Sequence, residues 1–137
     1  MSNHQVIISN EYNSSFDSFN SIEKEILKLG KTLNFSEDIL TNMLVCLSEA
    51  FNNSIVHAHH NVVSKKIKIL VEQIDSGLNV EVIDEGLGFD FHSLEDPTEP
   101  ENIEKLNGRG LFLIKNLADH IEYSFEKRRL TMFFRKA

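Results

Sequence analysis

In the stretch LSEAFNNSIVHAH, residues 47–59, Glu49 and Asn53 stand four residues apart. On a helix that spacing sets both side chains on one face. A carboxylate so placed can take up a proton or orient a water, and a neutral carboxamide oxygen suits a hard cation such as Mg²⁺. The same pair also fits an ordinary solvated helix face. Further on, VIDEGLGFD, residues 82–90, ends an apolar run in Asp84 and Glu85, then places Gly86 and Gly88 around the turn. The glycines let a ligand approach the backbone closely. A carboxylate at the end of an apolar strand needs a hydrogen-bond donor. A purine amine is one such donor, and the amides of the acidic turn itself are another. The third stretch, NGRGLFLIKNLAD, residues 107–119, sets Gly108, Arg109 and Gly110 before an apolar helix. A helix start behind glycines is an anion site, and Arg109 adds a formal charge. Close packing of that helix start on a sheet is the competing reading.

These groups need elements to hold them. HQVIIS, residues 4–9, reads as a short strand. Residues 21–34 carry Ile22, Ile26, Leu29 and Leu33 at helical spacing. Residues 35–60 form a long amphipathic helix, capped by Ser36 and followed by Glu37 and Asp38, with Leu40, Leu44, Leu47, Phe51, Ile55 and Ala58 as its apolar stripe. Glu49 and Asn53 share no position with that stripe. Strands are predicted over 65–74 and 78–84 with the tight turn DSG between them, and over 120–127 and 129–136 as a hairpin. Residues 91–107 hold both prolines and little apolar material, a connection longer than most. Residues 108–119 continue from the glycines as a helix. Hairpin-linked strands with grouped helices predict an α+β two-layer sandwich, with a mixed, mainly antiparallel sheet and helices on one face. With no repeat, linker or low-complexity tract, residues 1–137 read as a single domain.

Composition narrows the function classes. The chain has 137 residues, net charge −7 and 41% hydrophobic residues. An acidic chain does not favour direct nucleic-acid binding, and Lys127 to Arg129 reads as a solvated turn. No stretch approaches the ~18 apolar residues of a membrane span, and the N-terminus lacks an export pattern, so the expected compartment is the cytoplasm. Cys46 is the single cysteine and lies in an apolar run, which reads as core. His57 and His60 share a helix face at a spacing that could hold zinc, but no suitably placed third ligand accompanies them.

Taken together and in this order, the three stretches resemble the asparagine box and two glycine boxes of the histidine-kinase-like (GHKL) ATPases. Among these, spacing and length look most like the bacterial anti-sigma-factor serine kinases. The resemblance covers roughly residues 20–135 and implies a Bergerat-type ATP-binding fold with ATP and Mg²⁺ as cofactors. It implies that Glu49 is the catalytic base and Asn53 the Mg²⁺ ligand. Asp84 would accept from the adenine amine, Gly86 and Gly88 would shape the nucleotide wall, and residues 91–107 would form a lid. Gly108, Arg109 and Gly110 would meet the phosphates. Thr131 falls where the family often has a threonine near adenine, although Leu130 stands where the family commonly has glycine. The implied activity is a serine/threonine protein kinase that phosphorylates an anti-sigma antagonist protein and sequesters a sigma factor. The resemblance makes a homodimer plausible. An ATP- or ADP-gated binding module without phosphoryl transfer is the alternative. The ATPase half of a histidine kinase is a third reading, disfavoured because no phosphoacceptor-histidine helix pair precedes the domain.

Overall fold

The computed structural model describes residues 4–58, 65–85, 113–124 and 126–136. In chain order the elements are β1 (Gln5–Asn13), α1 (Phe19–Leu33), α2 (Glu37–Asn53), a π-helical turn (Ser54–Ala58), β2 (Lys66–Ile74), β3 (Gly77–Asp84), β4 (His120–Ser124) and β5 (Arg129–Arg135). The expected α+β architecture holds. Residues 113–117 are helical, ahead of β4.

The strands form one sheet in the order β1-β2-β3-β5-β4, and all four pairings are antiparallel. The expectation of a mixed sheet is refined by this order. β3 and β4 do run in the same direction, but β5 lies between them and pairs with both.

One face of the sheet is apolar. Ile67, Ile69 and Val71 of β2, Leu78, Val80 and Val82 of β3, and Leu130, Met132 and Phe134 of β5 are all buried in one cluster. The register aligns them across strands, as in Val71↔Val80 and Val80↔Met132. Ile22 and Ile26 of α1 and Met43, Cys46, Leu47, Ala50 and Phe51 of α2 complete that cluster from the helical layer. The alternate strand positions, including Lys68, Glu81 and Thr131, form the opposite face and are only partly covered. Period-2 alternation in strands against period-3.6 recurrence in helices produces these two layers.

Both helices have identifiable ends. α1 stops at Asn34, which takes a left-handed conformation (φ 58°), while the Phe35 N–H donates to the Gly30 carbonyl at 3.0 Å. α2 starts at Ser36, whose Oγ accepts from the Ile39 N–H at 3.3 Å. Glu37 and Asp38 follow in its first turn, where the helix dipole favours acids. Gly30 is the point of close approach between α1 and α2, because a β-carbon there would overlap the Leu40 side chain.

β1 extends to Asn13, four residues beyond the predicted strand. The extra residues are polar on one side and pair regularly with β2, so apolar alternation underestimates the strand. Its Glu25 anchor lies on α1. The Glu25 carboxylate accepts from Tyr12 Oη at 3.0 Å and from Asn10 Nδ2 at 3.0 Å.

Candidate nucleotide site

α2 carries Glu49 and Asn53 one turn apart, near its C-terminal end. Glu49 is half-buried, whereas Asn53 is only 3% exposed. Asn53 is thus part of the covered surface of α2, a correction to the expectation that the pair stands clear of the apolar side. The covered face is wider than the leucine stripe and includes Met43, Cys46 and Ala50. Asn53 Nδ2 is buried and has no hydrogen-bond partner among the described residues. Leaving such a donor unmet costs ~1–3 kcal/mol. It is the kind of atom a bound ligand would satisfy.

Directly after Asn53 the α-helix gives way to the π-helical turn Ser54–Ala58, with Ser54 and Ile55 buried. Such wide turns occur often at functional sites because they displace the residues beside them from α-helical phase. One helical turn before Asn53, the Glu49 carboxylate lies near Cys46. Burial and, secondarily, the Glu49 charge push the Cys46 thiol up to about 12. The thiol is fully buried and protonated at neutral pH, as a core residue should be.

Asp84 is the last residue of β3 and is 6% exposed. Its parity with Val80 and Val82 sets it on the face covered by the helices, opposite Ile67 of β2. Its backbone N–H donates to the Arg128 carbonyl at 3.1 Å. Arg128 itself sits in the β4–β5 turn at φ 52°. The basic run read as a solvated turn therefore is a turn, with its backbone also holding the end of β3 in place.

Thr131 is not brought to Asp84. The register opposes Thr131 to Glu81 on one side and Glu122 on the other, on the sheet face away from the helices. There it lines a shallow depression of about 360 Å³ with Asn79, Glu81, Lys127 and Arg129. The β5 residue that shares Asp84's face is Leu130, 3% exposed and opposite Val82. The alternation in RLTMFFR could have shown this, since Leu130, Met132 and Phe134 are its apolar phase. Ser54 likewise escaped sequence reasoning, because a buried serine has no apolar signature. Gly86, Gly88, Gly108, Arg109, Gly110, the segment 91–107, and His59 and His60 lie outside the described residues.

The architecture and the three stretches agree with what comparison of the whole chain gives. Residues 17–134 match the histidine kinase-like ATPase domain. The chain belongs to the histidine kinase-like ATPase family. It is 33% identical over 96 residues to the serine-protein kinase RsbW of Bacillus cereus (strain AH820), and equally so to that of Bacillus anthracis (strain A0248). The RsbW of Bacillus thuringiensis (strain Al Hakam) shows the same 33% identity. Each match takes in 66% of this chain and 59% of the relative, so the chain spans about three-fifths of the length of these kinases. No described helix is long and apolar enough to cross a membrane.

Proposed function

We propose that this domain binds MgATP and transfers the γ-phosphoryl group to a serine or threonine of a protein partner. The observation that carries the reading is Asn53: a carboxamide 3% exposed, with its Nδ2 unmet, one helical turn from a half-buried carboxylate. A structural asparagine would normally satisfy that donor within the fold. A nucleotide with its metal would supply the missing partner, a phosphate oxygen for Nδ2, and Asn53 Oδ1 would hold the hard cation. Mg²⁺ keeps several waters and binds through few protein ligands plus substrate phosphates, so a single carboxamide fits it. Its chemical contribution there is to neutralise charge on the phosphates.

The remaining roles are those that the family resemblance implies for this chain's residues. Asp84 would accept from the adenine amine, with Leu130 supplying an apolar neighbour on the same sheet face. Gly86 and Gly88 would let the base approach the backbone, and Gly108, Arg109 and Gly110 would hold the phosphates. Glu49 would take the proton from the attacking hydroxyl as its oxygen bonds to phosphorus and ADP leaves. Thr131 has no part in this pocket. The similarity to RsbW supports a serine kinase, and the family resemblance supports an anti-sigma antagonist as substrate and a sigma factor as a second partner. With no described membrane span, a cytoplasmic setting fits these partners.

The experiment is a pair of substitutions in the same helix. Glu49→Ala should keep MgATP affinity within about a few-fold and lower phosphoryl transfer by roughly two to four decades, the usual share of a general base. Asn53→Ala should weaken binding and transfer together. Matching melting curves exclude a common folding defect. Wild-type transfer rates in Glu49→Ala would remove the base assignment. A wild-type protein that binds MgATP and its partner yet transfers nothing would instead be a nucleotide-gated binding module.

A further inference from the structure

The sheet face turned away from the helices carries charged side chains in a fixed order. The register sets Glu81 of β3 and Glu122 of β4 on either side of Thr131 of β5, one row across three strands. Arg129 stands two residues earlier on β5, and Lys127 lies before it in the β4–β5 turn. The Lys127 N–H donates to Ser124 Oγ at 3.3 Å, which ties that turn to the end of β4. Glu81, Glu122, Thr131, Arg129 and Lys127 all line the depression of about 360 Å³. That volume is at the lower end of the range for small-ligand sites. Arg129 Nε is buried and has no hydrogen-bond partner among the described residues. Glu81 Oε2 is 3.6 Å from it, close enough for an ion pair but too far for a hydrogen bond. One Glu122 oxygen is 3.2 Å from His120 Nε2, and the Glu122 side chain is 74% exposed, so it remains open to a further donor.

We propose that this depression binds a small zwitterion, its carboxylate on Arg129 and Lys127 and its amino group between Glu81 and Glu122. The lining charges cancel, two acids against two bases, but they are segregated: bases at the turn end, acids in the row beyond. A phosphate ester would meet the acids, and a simple cation would meet the bases. The acids stand two strands apart, roughly 10 Å between backbones, too far for a close cation cage. Among the described residues no group of three or more His, Cys, Asp or Glu could hold a metal ion. A ligand with one charge of each sign, spaced along β5, matches both ends at once. The step from Arg129 to Thr131 is about 6.6 Å at the usual strand rise. An ω-amino acid with a short methylene chain spans that length, whereas an α-amino acid carries its charges too close together. A carboxylate oxygen would also give Arg129 Nε the acceptor that the described residues do not provide. Single exposed ion pairs contribute little, so the ligand must make both contacts to be held. The proposal goes beyond the nucleotide-binding reading and does not rest on it, because Asp84 lies on the opposite face of the sheet.

Titration of the full chain with δ-aminovalerate, followed by amide chemical shifts, tests this, with valerate and pentylamine as the two half-charged controls. The expected Kd for δ-aminovalerate is on the order of 1 mM, as two ion pairs in an open site allow. Each control should bind at least about fivefold more weakly. The shifted amides should fall in β3, β4 and β5 around Glu81, Glu122 and Thr131, and not in α2. The variants should split by charge. Arg129→Gln should weaken δ-aminovalerate by about fivefold or more and abolish any valerate binding while sparing pentylamine. Glu122→Gln should weaken δ-aminovalerate and pentylamine while sparing valerate. A merely structural role for either residue would not produce that crossed pattern. ATP affinity should be unchanged in both variants, which separates a failure of this site from a failure of the nucleotide site. Should Arg129→Gln not fold, Lys127→Gln takes its place in the carboxylate arm, since Lys127 is an exposed turn residue. Binding of δ-aminovalerate no tighter than that of its half-charged controls would overturn the proposal. So would shifts confined to another surface, or an affinity indifferent to Arg129→Gln, Lys127→Gln and Glu122→Gln.

Discussion

At the scale of single residues, burial separates two polar side chains with similar sequence signals. Asp84 and Thr131 both stand in strands near the same end of the sheet, yet one shares the helical face and the other does not. If Asp84 reads the adenine amine, Asp84→Asn should lower ATP affinity by about one to two decades and narrow the preference over GTP, since an unmet buried polar group costs ~1–3 kcal/mol. Titration calorimetry with both nucleotides checks this, and equal wild-type affinity for ATP and GTP would refute it. Thr131→Ala gives the contrasting expectation. On the outer face it should leave ATP affinity within about two-fold, because surface substitutions change little. A large loss on Thr131→Ala would mean that the register argument misplaces the adenine pocket.

At the scale of elements, two positions test how the helical layer and sheet are held. Ser36 was legible as a cap from sequence, and its Oγ does accept from the Ile39 N–H. Ser36→Ala should cost ~1 kcal/mol of stability, read as a lower denaturant midpoint with unchanged slope. Gly77 is the stronger constraint and was not legible as such. It opens β3 after the Asp75–Ser76 turn and is buried against β5, opposite Arg135. A β-carbon at Gly77 would overlap the Phe134 carbonyl, a backbone atom that cannot move aside without loosening the pairing. Gly77→Ala should therefore destabilise more than Ser36→Ala, and the difference should appear as faster amide exchange in β3 and β5. The sequence marked the glycine as a turn residue, because turn chemistry is local. The contact that makes it irreplaceable comes from a strand more than fifty residues later.

At the scale of the whole molecule, the core sets a dependence of stability on alkaline pH. The Cys46 thiol is pushed up to about 12 from an ordinary value of 9.0, by burial first and the Glu49 charge second. Burial also raises the Tyr12 phenol, its largest cause. A group whose pKa is raised by folding releases its proton first in the unfolded chain. The stability tied to it is complete below the ordinary thiol value and is lost as pH rises toward about 12. Cys46→Ala removes this dependence, so its stability deficit at neutral pH should shrink between pH 9 and 12. Parallel melting curves across that range check the sign. In the same pH window a thiol reagent should label the native protein only as fast as it opens, since the thiol is fully buried.

Local periodicity determined most of the architecture. The 3.6-residue recurrence of Ile22, Ile26 and Leu29 and the alternation through β2, β3 and β5 specify helices and strands without reference to anything distant, because each side chain's face follows from its own backbone geometry. The ordered motifs around Glu49, Asn53 and Asp84 also marked out the candidate site, because their chemistry lies within short stretches. Tertiary structure decided what depends on partners far apart in sequence. It put β5 between β3 and β4, turning two strands of common direction into a wholly antiparallel set of pairings. It buried Asn53, a polar residue whose type alone argues for solvent, and left its Nδ2 unmet. It also separated Thr131 from Asp84. One residue of register sends a side chain to the other face of a sheet, and register is fixed only when strands pair.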